Sequence, residues 1–143
     1  MFVKQVSVFI ENKPGSLAEI TELLGDNGID LVSLSIADTT QFGILRGIVA
    51  DYEKAVELIA GAGYTAKLTD VLAATVRDEP GGLAQILRQL ADHQLDVEYL
   101  YSTVKNAGNN ALIIFRVKEP ERAAQVLTQC GVRLLKQEEV RML

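Results

Sequence analysis

Two short stretches decide the fold: "ENKPGSLAEI", from Glu11 to Ile20, and "RDEPGGLAQI", from Arg77 to Ile86. Each follows a segment in which apolar side chains recur at every second residue, the period of a strand with one buried face. Each precedes leucines and isoleucines at three- and four-residue spacing, the period of an amphipathic helix. The same Pro-Gly-x-Leu phrase therefore joins a strand to a helix twice, which predicts a duplicated unit.

The rest of each half repeats the same order of elements. Through the first helix, each residue of the first half corresponds to the residue 66 positions later. After the following hairpin the difference is 68 positions, so that Gly63 corresponds to Gly131. Predicted hairpin turns lie at residues 39–41 and 106–109. The other predicted segments are strands 29–37 and 43–50, helix 52–62 and strand 64–70 in the first half, and strands 95–104 and 110–118, helix 120–130 and strand 132–140 in the second.

This order predicts the fold class. It is α+β, with two ferredoxin-like βαββαβ domains in tandem, residues 1–70 and 71–143, each an antiparallel sheet with helices on one face. The third strand of each half is apolar on both faces, as at Ile44 and Ile48 and at Leu112 and Ile114. We therefore expect the second sheet face to be covered by the other domain, by a second chain or by an added edge strand.

Composition excludes several classes of protein. The 143 residues carry a net charge of −5 without a basic run, which argues against nucleic-acid binding. The longest apolar stretches are too short to span a bilayer, and the N-terminus does not resemble a secretory signal. We therefore expect a cytoplasmic protein. Cys130 is the only cysteine, so no internal disulfide can form, and we expect a buried structural thiol in a helix.

The sequence offers little for catalysis. His93 is the only histidine, and it matches Asn27 at the end of the first helix of the other half, which favours a solvated or capping role. The adjacent Glu138 and Glu139 fall on the predicted last strand and would point to opposite faces. We also find no phosphate-binding glycine motif. We therefore predict no enzymatic activity, no catalytic residue, no metal site and no cofactor.

The Pro-Gly loops are more informative. A helix start leaves backbone N–H groups without partners at the positive end of the helix dipole, which favours a carboxylate. Proline would set the first helical turn, and glycine would let the backbone approach whatever lies opposite. Asn12 and Asp78, two residues before the prolines, could instead cap these N–H groups with a side-chain oxygen. A structural cap and a ligand site are both open alternatives.

The two loops differ in ways that bear on ligand binding. Ser16 has a hydroxyl where Gly82 has none, and Asn12 is neutral where Asp78 is acidic. The first loop therefore suits the carboxylate of an amino acid better, and Asp30 could meet the ammonium group. We expect the two loops to bind unequally.

The strand end "FIENKPGSL" with "GIDLVSLSI" after the helix, and "VRDEPGGL" with "QLDVEYLYS" in the second half, resemble the ACT-domain family. Members are regulatory modules that bind amino acids and related metabolites. The resemblance implies ferredoxin-like domains that pair side by side into an eight-stranded sheet, with ligands at the seam. Carried over, it implies the ligand-binding residues Asn12, Pro14, Gly15, Ser16, Leu17, Asp30, Asp78, Pro80, Gly81, Gly82, Leu83 and Asp96.

The leading hypothesis is a non-catalytic regulator or sensor that binds a small amino acid or related metabolite and forms a homodimer. An alternative is a regulatory subunit that docks on a biosynthetic enzyme through its sheet surface. The "ENKPGSL" loop also resembles regulatory subunits of acetolactate synthase. A third hypothesis, an enzyme of unknown chemistry, lacks a polar residue that stands out as catalytic.

Overall fold

Strands and helices follow the predicted order through most of the chain. The computed structural model describes residues 2–38, 41–103 and 108–143. They form two compact units, Lys4–Thr69 and Asp70–Leu143, the latter with Phe2 and Val3. Thr39, Thr40, Asn106 and Ala107 of the predicted hairpin turns, and Val104 at the end of a predicted strand, lie outside the described residues.

The first unit contains a sheet and two helices. The elements are β1 (Val3–Glu11), α1 (Ser16–Asp26), β2 (Leu31–Asp38), β3 (Phe42–Val49), α2 (Tyr52–Gly61) and β4 (Thr65–Arg77). Strand β3 pairs antiparallel with both β1 and β2, so that Leu45 lies opposite Val8 on one side and Ile36 on the other. Strand β4 begins in this unit and follows β1 in the strand order.

The second unit repeats this arrangement. Its further elements are α3 (Gly82–Asp92), β5 (Val97–Ser102), β6 (Asn110–Val117), α4 (Pro120–Gln129) and α5 (Gln137–Arg141). Strand β6 pairs antiparallel with the second half of β4 and with β5, and Ala74 lies opposite Ile113. The α+β class and the antiparallel ferredoxin-like pattern are confirmed.

Each unit has its own apolar core between its helices and one face of its sheet. Burying one such aliphatic side chain fully contributes roughly 1.5–3 kcal/mol, so this face positions the helices. The core residues occupy matching positions in the two copies. They include Val8, Ile10, Ile20, Leu24, Leu45 and Ile59 in the first unit, and Ala74, Val76, Ile86, Leu90, Ile113 and Leu127 in the second.

The opposite sheet face is also buried in part, as the apolar third strands predicted. Ile48 in the first unit and Leu112 and Ile114 in the second are almost fully buried. Gln5 and Ser7 of β1 are buried as well, and the Gln5 amide donates to the Ser7 hydroxyl at 3.0 Å.

The ends of α1 and α3 confirm the capping role of His93. The Asn27 side chain donates to the carbonyl of Leu23 at 2.9 Å, and Nδ1 of His93 lies 2.8 Å from the carbonyl of Gln89. Because a carbonyl only accepts, the contact places the proton of His93 on Nδ1. Asn27 and His93 thus donate to equivalent carbonyls in the last turns of the two helices, and the carbonyl of Gln89 also accepts the backbone N–H of His93.

The predicted last strand at 132–140 is wrong. Only Leu134 bridges to Ala74, and the chain then turns into the short helix α5. The Glu139 carboxylate accepts the backbone N–H of Lys136 at 2.8 Å and pairs with Arg133 at 2.5 Å. A carboxylate that reaches back to the residue before a helix stabilises the helix start, so these residues form α5 and not a strand.

The prediction for Cys130 is also wrong. The thiol is exposed, because Cys130 is the C-cap residue of α4 and follows the last helical turn. Its S–H donates to the side-chain carbonyl of Gln89 at 3.3 Å. Ala62, the matching residue of the first unit, is exposed too.

Candidate functional site

The first Pro-Gly pair forms a turn that leads into α1. The N–H of Ser16 donates to the carbonyl of Lys13 at 3.4 Å, and Gly15 has φ 92° and ψ −17°. Proline followed by a glycine with these angles is typical of a type II turn. Since α1 begins at Ser16, Pro14 precedes the helix and does not lie in its first turn as predicted.

The second Pro-Gly pair has the same geometry. Gly81 has φ 85° and ψ −5°, and the N–H of Gly82 donates to the carbonyl of Glu79 at 3.0 Å. A Cβ at Gly15 or Gly81 would meet no atom within 4 Å. The glycine is therefore needed for its positive φ, and the predicted close approach of the backbone is not the reason.

Both helix starts present free donors. Within the described residues, the N–H groups of Leu17 and Ala18 have no acceptor, and neither do those of Leu83 and Ala84. The first helical bond in each unit is made by the next residue along, to the carbonyl of the turn glycine. The caps predicted from side chains before the prolines are therefore not formed. The two N–H groups at each helix start can bind an anion.

Ser16 is the most informative residue of the first loop. It is only 3% exposed, and its hydroxyl has no hydrogen-bond partner among the described residues. It lines a cavity of about 460 Å³ beside the helix start. The Ser16 hydroxyl is not among the fully buried side-chain atoms that lack a partner in the described residues, so it is open to the cavity and can donate to or accept from a bound group.

The rest of this cavity has a mixed lining. Two acidic side chains line it, Glu11 at the end of β1 and Glu19 on α1. The other lining residues are Phe9, Ile10, Lys13, Phe42, Gly63, Tyr64 and Thr65. Tyr64 donates its hydroxyl to Glu19 at 2.8 Å, and Lys13 pairs with Glu11 at 3.3 Å. The hydrogen bond to Glu19, with the negative charges of Glu19 and Glu11, raises the pKa of Tyr64. The cavity thus combines the Ser16 hydroxyl, which is next to the free N–H groups of Leu17 and Ala18 in the chain, with two carboxylates.

The second unit has a cavity of about 380 Å³ at the equivalent place. Its lining differs in charge, because Arg77, Gln85 and Arg133 stand where the first unit has Glu11, Glu19 and Thr65. Neither Asp nor Glu occurs among its described lining residues. They are Thr75, Val76, Arg77, Gly82, Gln85, Ile86, Asn110, Cys130, Gly131, Val132 and Arg133.

A family model described as "ACT domain pair" matches residues 1–143. The chain belongs to this family. The ACT domain pair is similar to a solved protein, BT0572 from Bacteroides thetaiotaomicron, with 36% identity and a TM-score of 0.93 over 100% of this chain and 98% of that one.

Two more distant structures share the fold of this ACT domain pair. Both are regulatory subunits of aspartate kinase with 16% identity. The subunit from Thermus thermophilus, in its ligand-free form, has a TM-score of 0.61 over 88% of this chain and 90% of its own. The subunit from Thermus flavus has a TM-score of 0.60 over 90% and 92%. A search of curated protein sequences returned no match.

The structure of the ACT domain pair brings together only part of each predicted set of ligand-binding residues. Pro14, Gly15, Ser16 and Leu17 surround the start of α1, and Leu17 also packs on the core. Asp30 follows the other end of that helix. Eleven residues at about 1.5 Å each place the two ends roughly 16 Å apart. A small ligand at the loop cannot reach Asp30 of the same unit.

The second predicted set divides in the same way. Pro80, Gly81, Gly82 and Leu83 surround the start of α3, and Leu83 packs on the core. Asp96 lies beyond the other end of α3, where its carboxylate pairs with Lys118 at 3.3 Å.

Asn12 has a structural role in the ACT domain pair. Its side-chain amide donates to the Asp38 carboxylate and to the carbonyl of Phe42, and its backbone N–H donates to the carbonyl of Gln41. Asn12 therefore ties the Pro-Gly loop to the ends of β2 and β3. Asp78 is exposed at the matching position of the second unit.

Sequence reasoning missed the charged side chains around both cavities. Glu11 and Arg77 open the two quoted stretches, and Glu19 and Gln85 lie eight residues further on. The change of charge between matching positions was a readable signal, but only the packed structure shows that these side chains line a cavity. Among the described residues, no cluster could hold a metal ion and no helix is long and apolar enough to span a membrane.

Proposed function

We propose that this ACT domain pair is a non-catalytic regulatory protein that binds a small amino acid in the cavity of its first unit. The observation that carries the proposal is the Ser16 hydroxyl, which lines this cavity without a partner among the described residues, beside two free backbone donors. ACT domains are regulatory modules, and the aspartate kinase subunits with this fold are described as regulatory.

The two walls of the cavity suit the two charges of an amino acid. The carboxylate would accept from the Ser16 hydroxyl and from the N–H groups of Leu17 and Ala18, where the helix dipole also favours negative charge. The ammonium group would face Glu19 and Glu11 across the cavity. A volume of about 460 Å³ lies within the ordinary range for small-molecule sites.

Calorimetry with each of the twenty amino acids tests this proposal. We expect binding by at least one, and we expect Ser16→Ala to weaken it by about ten- to a hundredfold, because a hydrogen bond to a charged group contributes roughly 1.5–3 kcal/mol. Asp30→Asn serves as the control and should leave the affinity unchanged. The proposal fails if millimolar amino acids produce no binding, or if Ser16→Ala binds as tightly as the wild type.

A second candidate function is docking on a biosynthetic enzyme. Phe9 and Phe42 are 44% and 54% exposed, and they are diagonal neighbours on β1 and β3. Paired exposed aromatic side chains are typical of protein interfaces. Co-elution with purified aspartate kinase or acetolactate synthase, lost in Phe42→Ser, would support docking. Separate elution from both enzymes would count against it.

We further propose that the protein is a cytoplasmic homodimer, as the family resemblance suggests. Light scattering after size exclusion should give twice the mass of one chain. A single-chain mass at micromolar concentration would contradict the dimer.

A further inference from the structure

We propose that the second unit contains a separate site for a small organic anion that lacks an ammonium group, such as a 2-oxo acid with an apolar tail. This site is the cavity lined by Arg77 and Arg133. It has a different ligand chemistry from the first cavity, and the proposal does not depend on amino-acid binding there.

The exchange of charge between the copies is the first argument. At three matching positions around the cavities, an acidic or neutral residue is replaced by a cation or an amide: Glu11 by Arg77, Glu19 by Gln85 and Thr65 by Arg133. Each replacement removes negative charge or adds a donor. An ammonium group would therefore find no carboxylate among the described lining residues, whereas an anion would find several donors.

Both arginines keep donors available. Arg77 lies 3.6 Å from Glu79, beyond hydrogen-bond distance, and only Nη2 of Arg133 contacts Glu139. Since a guanidinium has five N–H donors, each can still take a ligand carboxylate. The free N–H groups at the start of α3 lie at the same end of the unit.

A second cavity accounts for the apolar tail. Its volume is about 490 Å³, and it shares Gln85, Ile86, Cys130 and Val132 with the arginine-lined cavity. Ala84, Arg88 and Gln89 also line it, and its apolar part is formed by Ala84, Ile86 and Val132. A carboxylate bound at the arginines would therefore place an aliphatic chain along apolar side chains, whose burial favours binding.

Cys130 provides a direct measurement because it is exposed, lines both cavities and is the only cysteine. The rate of its alkylation by the neutral reagent iodoacetamide reports access to the site. We compare leucine with 4-methyl-2-oxopentanoate, which has the same tail and carboxylate but no ammonium group. The oxo acid should slow alkylation in a saturable manner, and leucine should do so only at concentrations at least about tenfold higher.

Three variants locate the site. Arg77→Gln should raise the oxo-acid concentration that gives half-protection about tenfold, since one charged donor is lost. Gln85→Glu, which restores the acidic residue of the first unit, should weaken oxo-acid protection and strengthen leucine protection. Lys118→Gln removes a cation of the same unit outside the cavity lining and should behave as the wild type. Thermal melting of each variant verifies that it is folded.

Three outcomes would overturn the proposal. These are no protection of Cys130 by the oxo acid, equal protection by leucine, or unchanged protection in a folded Arg77→Gln variant. Ala62→Cys combined with Cys130→Ala places the probe beside the first cavity, where amino-acid protection tests the proposed function alone. The absence of protection at the cysteine beside one cavity therefore does not change the conclusion drawn from the cysteine beside the other.

Discussion

Ser16 and Gly82 occupy the same position, the first residue of the helix after a Pro-Gly pair, but only Ser16 has room for a side chain. A Cβ on Gly82 would overlap the carbonyl oxygen of Arg77. The backbone before α3 thus passes closer to the helix start than the equivalent backbone before α1. This difference removes the hydroxyl from the second site and leaves anion recognition there to the arginines.

The first prediction concerns this close approach. Gly82→Ser should destabilise the protein by about 1–3 kcal/mol, because the new side chain forces the backbone to shift. The reverse change, Ser16→Gly, should cost less than about 1 kcal/mol, the ordinary helix-propensity difference. Urea unfolding of both variants measures the two values. Equal losses would mean that the β4–α3 turn has more room than the structure shows.

Gln94 is the second target, because it is the only non-glycine residue with a positive φ among those described, at 57°. Gly28 occupies the matching position with φ 71°. Gln94→Gly should stabilise the protein by about 0.5–1 kcal/mol, since the left-handed conformation costs other residues about 1–2 kcal/mol and part of the gain is lost to chain entropy. Gly28→Gln should destabilise it. Denaturant unfolding measures the stability of both variants, and a loss of stability in Gln94→Gly would contradict this prediction.

The third prediction compares two helix starts. The Asp51 carboxylate accepts the N–H of Lys54 at 3.1 Å and caps α2, whereas Glu119 at the start of α4 makes no side-chain cap. Asp51→Ala should therefore cost about 1 kcal/mol, and Glu119→Ala much less. Thermal melting compares the two variants, and similar losses would show that the cap is not responsible.

Tyr64 should make stability depend on pH at the alkaline end. Its folded-state pKa is raised above 10.0 by the hydrogen bond to Glu19. This hydrogen bond therefore contributes fully to the free energy of unfolding below pH 10.0. The contribution is lost as the pH rises through the raised pKa, because the phenolate cannot donate. Phenolate absorbance of wild type minus Tyr64→Phe measures this pKa. Glu19→Gln should lower it, and an unchanged titration would rule out the hydrogen bond as the cause.

Glu139 should act at the acidic end. The backbone N–H of Lys136, and then Arg133, lower its pKa below 4.5 in the folded chain. The ionised Glu139 therefore contributes to the free energy of unfolding above pH 4.5, and this contribution is lost as the pH falls through the lowered pKa. The melting temperatures of wild type and Glu139→Gln should therefore differ at neutral pH and converge in acid. A constant difference at all pH values would contradict this linkage.

Much of the architecture could be predicted from local pattern alone. Strand and helix periods, the glycines that end helices and the repeated Pro-Gly phrase are properties of neighbouring residues, so they predicted the α+β class and most element bounds. The prediction of the last strand was wrong because Glu139 stabilises a helix start through Lys136 and Arg133. The spacing of apolar residues does not include side-chain contacts of this kind. Cys130 failed because its exposure depends on where α4 ends.

The sequence by itself determined the duplicated fold and the place of each helix start, because both follow from the spacing of apolar residues and from the repeated Pro-Gly phrase. Tertiary structure alone decided that the N–H donors there are uncapped and which side chains line the neighbouring cavities. Asp30 lies at the far end of α1, whereas Glu19 and Arg133 line the cavities. Residues that are far apart in the sequence become neighbours only when the chain packs, and electrostatic interactions depend on distance in space.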